Sequence, residues 1–113
     1  SFYQEITMLP KKKRVTKELF QGIMKNGKTL VSPLFILRYI PQKRPQYAFV
    51  APKTVAKQAV FRNKLRRQGY NALNQNPKIP CILGVFFYKK EAKKASFKDI
   101  KENIDSIISK IPH

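Results

Sequence analysis

The hydrophobic positions of the chain fall into three segments with helical spacing and four short segments typical of strands. The first helix is predicted over residues 17–26, because Thr16 is a favourable N-cap and Gly27 is placed to end it. Within this helix, the apolar residues at helical spacing are Leu19, Phe20, Ile23 and Met24.

Runs rich in β-branched and aromatic residues predict strands over 29–31, 34–40, 46–51 and 82–88. Ser32-Pro33 separates the first two strands, and a turn rich in proline and basic residues precedes the third. Every residue of the second strand is apolar or aromatic except Arg38, a lone charge that must face solvent or a partner.

Two more helices are predicted in the second half of the chain. One covers about 57–73, and the other begins after Ser96, with Asp99 at the spacing of a capping box. The last helix carries one apolar stripe for the core, formed by Ile100, Ile104, Ile107, Ile108 and Ile111. The order α-β-β-β-α-β-α predicts an α+β fold, with helices packed on a mixed sheet.

The charge of the chain is large and unevenly placed. The 113 residues carry a formal net charge of +18, and no acid lies between Glu18 and Glu91. A surface of this kind favours a polyanion, and nucleic acid is the simplest one. A solvated charged surface is the alternative, but such surfaces normally mix both signs.

The cysteine content and the lengths of the apolar segments indicate the cellular compartment. Cys81 is the only cysteine, which fits a reducing compartment, and we expect it to be buried at the start of an apolar run. No apolar stretch approaches the ~20 residues that cross a membrane. We expect a cytoplasmic protein with one RNA-binding domain over 8–113, preceded by a tag remnant or flexible extension over 1–7.

Catalytic side chains are scarce. The only histidine is the last residue, His113, and the interior has neither a carboxylate pair nor a Cys/His cluster with zinc spacing. We therefore expect no catalytic residue and no metal site in the protein itself.

The second helix is the segment most typical of RNA binding. One arc of it gathers Phe61, Leu65, Gln68, Gly69 and Ala72, and we expect Phe61 and Leu65 to anchor the helix. The opposite arc should face outward, where arginine pairs with phosphate, an asparagine reads a base edge or 2′-hydroxyl, and a tyrosine stacks. Its residues are Arg62, Asn63, Arg66, Arg67 and Tyr70.

The string Arg62-Asn63-Lys64-Leu65-Arg66-Arg67 resembles the arginine-asparagine-arginine signature helix of the bacterial ribonuclease P protein subunit. Weaker similarities agree in order and spacing across nearly all of 8–111. They are the basic start Met8 to Arg14, Leu19-Phe20-Gln21, Tyr47-Ala48-Phe49-Val50, Val55 to Val60, and Ser96-Phe97.

The resemblance implies a two-layer sandwich with a mixed four-stranded sheet. It also implies a left-handed βαβ crossover through the second helix, against the usual right-handed rule. It also implies that an RNA subunit carries the active site and its Mg, and cuts the 5′ leader from precursor tRNA. The protein would bind this RNA and the leader, as an accessory subunit of a bacterial endoribonuclease. The RNA-binding residues that the resemblance implies are Arg62, Asn63, Lys64, Arg66, Arg67, Lys53, Lys57, Lys11, Lys12, Lys13 and Arg14. Tyr70 joins this set only because of its place on the outward arc of the second helix.

The implied leader-binding cleft departs from the family pattern. Phe20 matches a cleft position, although plain core packing is an equal alternative for it. Met24 and Arg38 stand where the family usually has further aromatics, so leader binding would be more electrostatic. Lys64 replaces the second signature arginine, which keeps the charge but loses the bidentate fork.

Three rival interpretations remain open on the sequence alone. A ribosomal-type RNA-binding protein would share the charge and topology without activity alongside ribonuclease P RNA. The run Pro10 to Val15 resembles a nuclear import signal, although its lysines equally suit RNA phosphates. A membrane-active protein would need an exposed apolar helix face, whereas the stripe of the last helix suits a core.

Overall fold

The computed structural model describes residues 17–111, with side chains described from Gln21 onward. The basic run 11–14, the proposed boundary at residue 7, the Phe20 side chain and His113 lie outside that part. The elements are α1 (Lys17–Asn26), β1 (Lys28–Val31), β2 (Phe35–Pro41), β3 (Gln46–Val50), α2 (Ala59–Asn74), β4 (Ile82–Tyr88), a short 3-10 helix (Lys90–Lys94) and α3 (Phe97–Ser109).

The four strands form one mixed sheet in the order β1-β2-β4-β3. β2 pairs antiparallel with both β1 and β4, whereas β3 pairs parallel with β4. A parallel pair needs a crossover connection, and α2 supplies it between β3 and β4. The predicted α+β class and mixed four-stranded sheet are confirmed.

One face of the sheet carries the larger core, against α2 and α3. Phe35, Phe49 and Phe86 are fully buried there. The rings of Phe49 and Phe86 stack with centroids 4.7 Å apart, and Phe35 meets Phe86 edge-on at 5.6 Å. The predicted isoleucine stripe is buried along α3, and Ile111, just after the end of this helix, is buried as well.

The capping box of α3 is also confirmed. The backbone N–H of Asp99 donates to Ser96 Oγ, and the backbone N–H of Ser96 donates to Asp99 Oδ2, both at 3.2 Å.

The opposite face of the sheet packs on α1 through Ile23, which is fully buried with Leu83 and Val85. Arg38 lies on this face, with Thr29 on one side and Val85 on the other in the strand register. The lone charge of β2 therefore points toward α1, in the middle of a largely apolar surface.

One expectation from the sequence is wrong, and one short helix was not predicted. Cys81 is exposed rather than buried. It lies one residue before β4, between the buried Pro80 and Ile82, and side chains of successive residues in extended chain point to opposite sides. The 3-10 helix was not predicted, because Lys90 to Lys94 contain a single apolar anchor, the buried Ala92.

Candidate nucleic-acid interface

The α2 helix packs on the sheet through Leu65, Gly69, Ala72 and Leu73. This buried stripe is rotated toward Leu73 relative to the predicted anchoring arc. Phe61, expected to anchor the helix, is instead 54% exposed. The fully outward side of α2 carries Lys64, Arg67, Asn71 and Asn74. Two of the predicted RNA-binding residues, Lys64 and Arg67, therefore lie together on an open helix face.

Arg62 lies nearer to the protein body and holds the loop that precedes α2. Its Nη1 donates to the carbonyl oxygen of Lys57 at 2.7 Å and to that of Ala56 at 3.0 Å. Both acceptors are neutral. Arg62 is half-buried, and through these two hydrogen bonds its guanidinium connects the loop to the helix.

Arg66 and Asn63 are neighbours on the same side of α2. The Nη2 of Arg66 donates to Asn63 Oδ1, one helical turn away. Both side chains are half-buried. This contact orients the guanidinium before any ligand arrives, which lowers the entropic cost when a planar fork binds phosphate.

The expectation that Tyr70 projects outward with the arginines is wrong. Its hydroxyl oxygen accepts a hydrogen bond from the backbone N–H of Phe49 at 3.1 Å, and its ring meets that of Phe49 edge-on at 4.8 Å. Burial raises the pKa of the Tyr70 phenol, with the Phe49 bond and the charge of Arg66 acting in the opposite direction. Tyr70 therefore joins α2 to β3, a different role from stacking on a base.

The loop over residues 51–58 presents two further predicted lysines, Lys53 and Lys57, both exposed. The loop is held by buried Val55, which is 2% exposed, and by a turn in which the Val55 N–H donates to the Pro52 carbonyl at 2.9 Å. The buried anchor fixes the backbone, so both lysines project from a defined surface next to the start of α2.

On the sheet face toward α1, the structure brings the predicted cleft residues Met24 and Arg38 together. The Nη2 of Arg38 donates to the Met24 carbonyl at 3.0 Å and lies 3.4 Å from the carbonyl oxygens of Ile23 and Gly27. These carbonyls end α1, so Arg38 caps the negative end of the helix dipole. Met24 stays 43% exposed beside it.

Sequence reasoning missed this capping role, and it also missed the position of Phe61. A lone arginine in an apolar strand indicates that a partner exists, but only the fold shows that the partner is the end of α1.

In the described part of the chain, whose side chains run from Gln21 to Ile111, no three histidine, cysteine or acidic side chains are grouped to hold a metal ion. None of the helices in that range has the length and apolar character to cross a membrane.

Comparison with known proteins identifies the family of this chain. Residues 9–112 match the family model described as Ribonuclease P. The chain is 36% identical over 97 residues to the ribonuclease P protein component of a Nitratiruptor species, an alignment that covers 85% of this chain and 88% of that protein.

Solved structures agree in fold. The ribonuclease P protein of Thermotoga maritima superposes with a TM-score of 0.73 at 21% identity, covering 83% of this chain and 92% of that one. A mutant of the Staphylococcus aureus ribonuclease P protein gives a TM-score of 0.77 at 20% identity, covering 96% and 95%. With the family model spanning almost the whole sequence, this chain belongs to the family of bacterial ribonuclease P protein components.

Proposed function

We propose that this protein is the RNA-binding subunit of ribonuclease P and supports removal of the 5′ leader from precursor tRNA. The outward face of α2 would bind the RNA subunit, and the sheet face beside α1 would hold the leader. The cleavage chemistry belongs in this proposal to the RNA subunit and the Mg that it mainly binds. The complex would act in the bacterial cytoplasm.

The observation that carries the proposal is the open, carboxylate-free face of α2. Lys64 and Arg67 are exposed there, Arg62 and Arg66 border it, and the sequence places no acid between Glu18 and Glu91. An RNA backbone can approach such a face without meeting a like charge.

Leader binding has a separate support. Met24 and Arg38 lie next to each other, at the edge between α1 and the sheet. A flexible thioether packs against bases of any identity, and a neighbouring guanidinium adds an electrostatic contribution. With Met24 in place of a family aromatic, we expect leader binding to depend on salt more than on base identity.

Reconstitution tests the proposal. The isolated protein should leave precursor tRNA intact, and it should raise cleavage by a cognate ribonuclease P RNA when Mg is low. The physical reason is that the protein lowers repulsion between the two RNAs, which Mg otherwise does. Absence of stimulation at every Mg concentration would contradict the proposal and favour a ribosomal-type RNA-binding protein.

The salt dependence of RNA affinity tests whether the outward face of α2 binds the RNA. Replacing Arg62, Arg66 and Arg67 together by alanine should reduce the log–log slope of RNA affinity against salt by about 1 for each phosphate that is no longer neutralised. A matched variant without Lys78, Lys98 and Lys110, three exposed lysines outside α2, removes the same charge from other parts of the protein. An equal reduction of slope in both variants would mean that net charge, and not the α2 face, binds the RNA.

A further inference from the structure

A pocket of about 420 Å³ opens beside the first half of α2. Its apolar surface comes from Phe61 and from Leu65, which is 8% exposed, together with Ala56 of the preceding loop. Ala95, just after the 3-10 helix, completes the wall. We call this space the Phe61 pocket. Its volume lies within the range of about 300–1,000 Å³ that is typical of small-ligand pockets.

The aromatic ring in this pocket is largely exposed, although it belongs to a helix that packs on the core. Phe61 is 54% exposed, although the same helix buries Leu65 one turn later. A single exposed apolar side chain is common and needs no explanation. Here, however, the ring borders a concave space, so one of its sides is available to a flat partner.

The rim of the Phe61 pocket is cationic. Lys57 comes from the loop before α2, Lys64 from α2 itself, and Lys93 from the 3-10 helix. No acid is among the described residues that form the pocket. Three ammonium groups from three segments around an aromatic ring favour a ligand that combines a flat apolar part with negative charge.

A neutral polar group completes the arrangement. The Gln68 side chain lies in the pocket on the same side of α2 as Phe61 and Lys64. In the described part of the chain it makes no hydrogen bond. An amide offers both a donor and an acceptor, which is what the edge of a nucleobase requires.

We propose that the Phe61 pocket receives one unpaired nucleobase of the bound RNA. The base stacks on Phe61, its edge meets the Gln68 amide, and the adjoining phosphates lie against the rim lysines. Sequence-specific and single-stranded RNA contacts commonly use an aromatic platform with basic neighbours in this way. This inference rests on the proposed function, because it adds a second kind of contact to the RNA surface of α2.

Lys64 links the pocket to that surface. It lies at the rim and also on the outward face of α2 beside Arg67. An RNA strand following the outward face therefore passes the mouth of the pocket. An acidic protein segment would satisfy the lysines but would leave the exposed ring and the Gln68 amide without a matching group.

The absence of tryptophan in the chain allows a direct test. In Phe61→Trp the introduced indole is the only one in the protein, and stacking with a base should quench its fluorescence when ribonuclease P RNA is added. Val60→Trp is the matched control, since Val60 is 62% exposed but does not form the pocket. Its indole should change little. Equal responses from the two indoles would overturn the proposal.

Affinity measurements provide a second test. Phe61→Ala and Phe61→Leu should weaken RNA binding roughly 5- to 100-fold, while Phe61→Tyr stays close to the original protein. The slope against salt should not change, because no charge is removed.

The outcomes separate this inference from the proposed function. If Phe61→Ala binds RNA normally while the α2 arginine variant does not, the nucleobase site is wrong and the RNA-binding role stands. If polyglutamate quenches the Phe61→Trp indole and RNA does not, the pocket is a site for acidic protein segments. If the protein binds no ribonuclease P RNA, both proposals fail.

Discussion

A side chain at Gly69 would collide with the ring of Phe49. A β-carbon built at Gly69 lies 2.5 Å from Cδ1 of Phe49, and that ring is fully buried and stacked on Phe86. The ring has no room to move away. The missing side chain therefore fixes how closely α2 approaches β3, and with it the direction in which Lys64 and Arg67 face.

Gly69→Ala should destabilise the protein in spite of the better helix propensity of alanine. Overpacking a filled core costs about 1–3 kcal/mol, and the propensity gain returns at most ~1 kcal/mol. We expect a lower urea midpoint with an unchanged slope. Gly22→Ala in α1 is the control, because nothing lies within 4 Å of its added carbon. An increase in stability for Gly69→Ala would show that α2 can shift outward freely.

The Gly69 contact explains what the sequence of α2 could and could not predict. Helical periodicity correctly indicated an amphipathic helix, and Leu65, Gly69 and Ala72 are indeed buried. The rotation of the helix was not predictable, since it depends on packing against Phe49, twenty residues earlier in the chain. Phe61 and Tyr70 were consequently assigned to the wrong sides.

More of the fold than of the candidate site could be predicted from the sequence. Strand and helix positions follow from local apolar patterns and from breaks such as Ser32-Pro33, and these patterns lie within each segment. The role of Arg38 depends on which element the topology places over β2. That information is long-range, so the sequence indicated that Arg38 needs a partner without identifying it.

Two buried tyrosines, Tyr47 and Tyr88, and the partly buried Tyr70 predict a loss of stability at alkaline pH. Burial raises the pKa of Tyr47, Tyr70 and Tyr88, and the neighbouring Tyr70 raises that of Tyr88 further. Above pH ~10 the unfolded chain releases these protons while the folded protein retains them. The free energy of unfolding should thus be unaffected by these groups below pH ~10 and fall above it, by roughly 1.4 kcal/mol per pH unit for each tyrosine.

Absorbance at 295 nm measures this difference. The native protein should ionise a smaller share of its tyrosines near pH 10 than the same protein unfolded in urea. Tyr70→Phe removes one of the three groups, so its stability should fall less steeply with pH. Identical titration curves for the native and unfolded protein would contradict the prediction.

The contact between Arg38 and the end of α1 predicts a structural role for this side chain. Arg38→Ala removes the guanidinium that caps α1, and we expect a loss of about 1–2 kcal/mol in the stability of that helix. Faster hydrogen exchange of the amides in α1, with little change in α3, is the measurement. Arg44→Ala removes the same charge from an exposed turn residue and should leave exchange in α1 unchanged. Equal effects would show that net charge, and not the cap, stabilises α1.

Alanine substitutions at Arg62 and Arg67 should have different effects on stability, although both residues belong to the signature helix. Arg62→Ala removes the two hydrogen bonds to the Ala56 and Lys57 carbonyls, so it should reduce both stability, by about 1–2 kcal/mol, and RNA affinity. Arg67→Ala acts on an exposed side chain, so stability should stay within about 0.5 kcal/mol while the salt slope of RNA affinity falls by ~1. Urea unfolding and salt titrations of both variants give the comparison. A normal salt slope for Arg67→Ala would place the RNA away from the outward face of α2, whatever the result for Arg62.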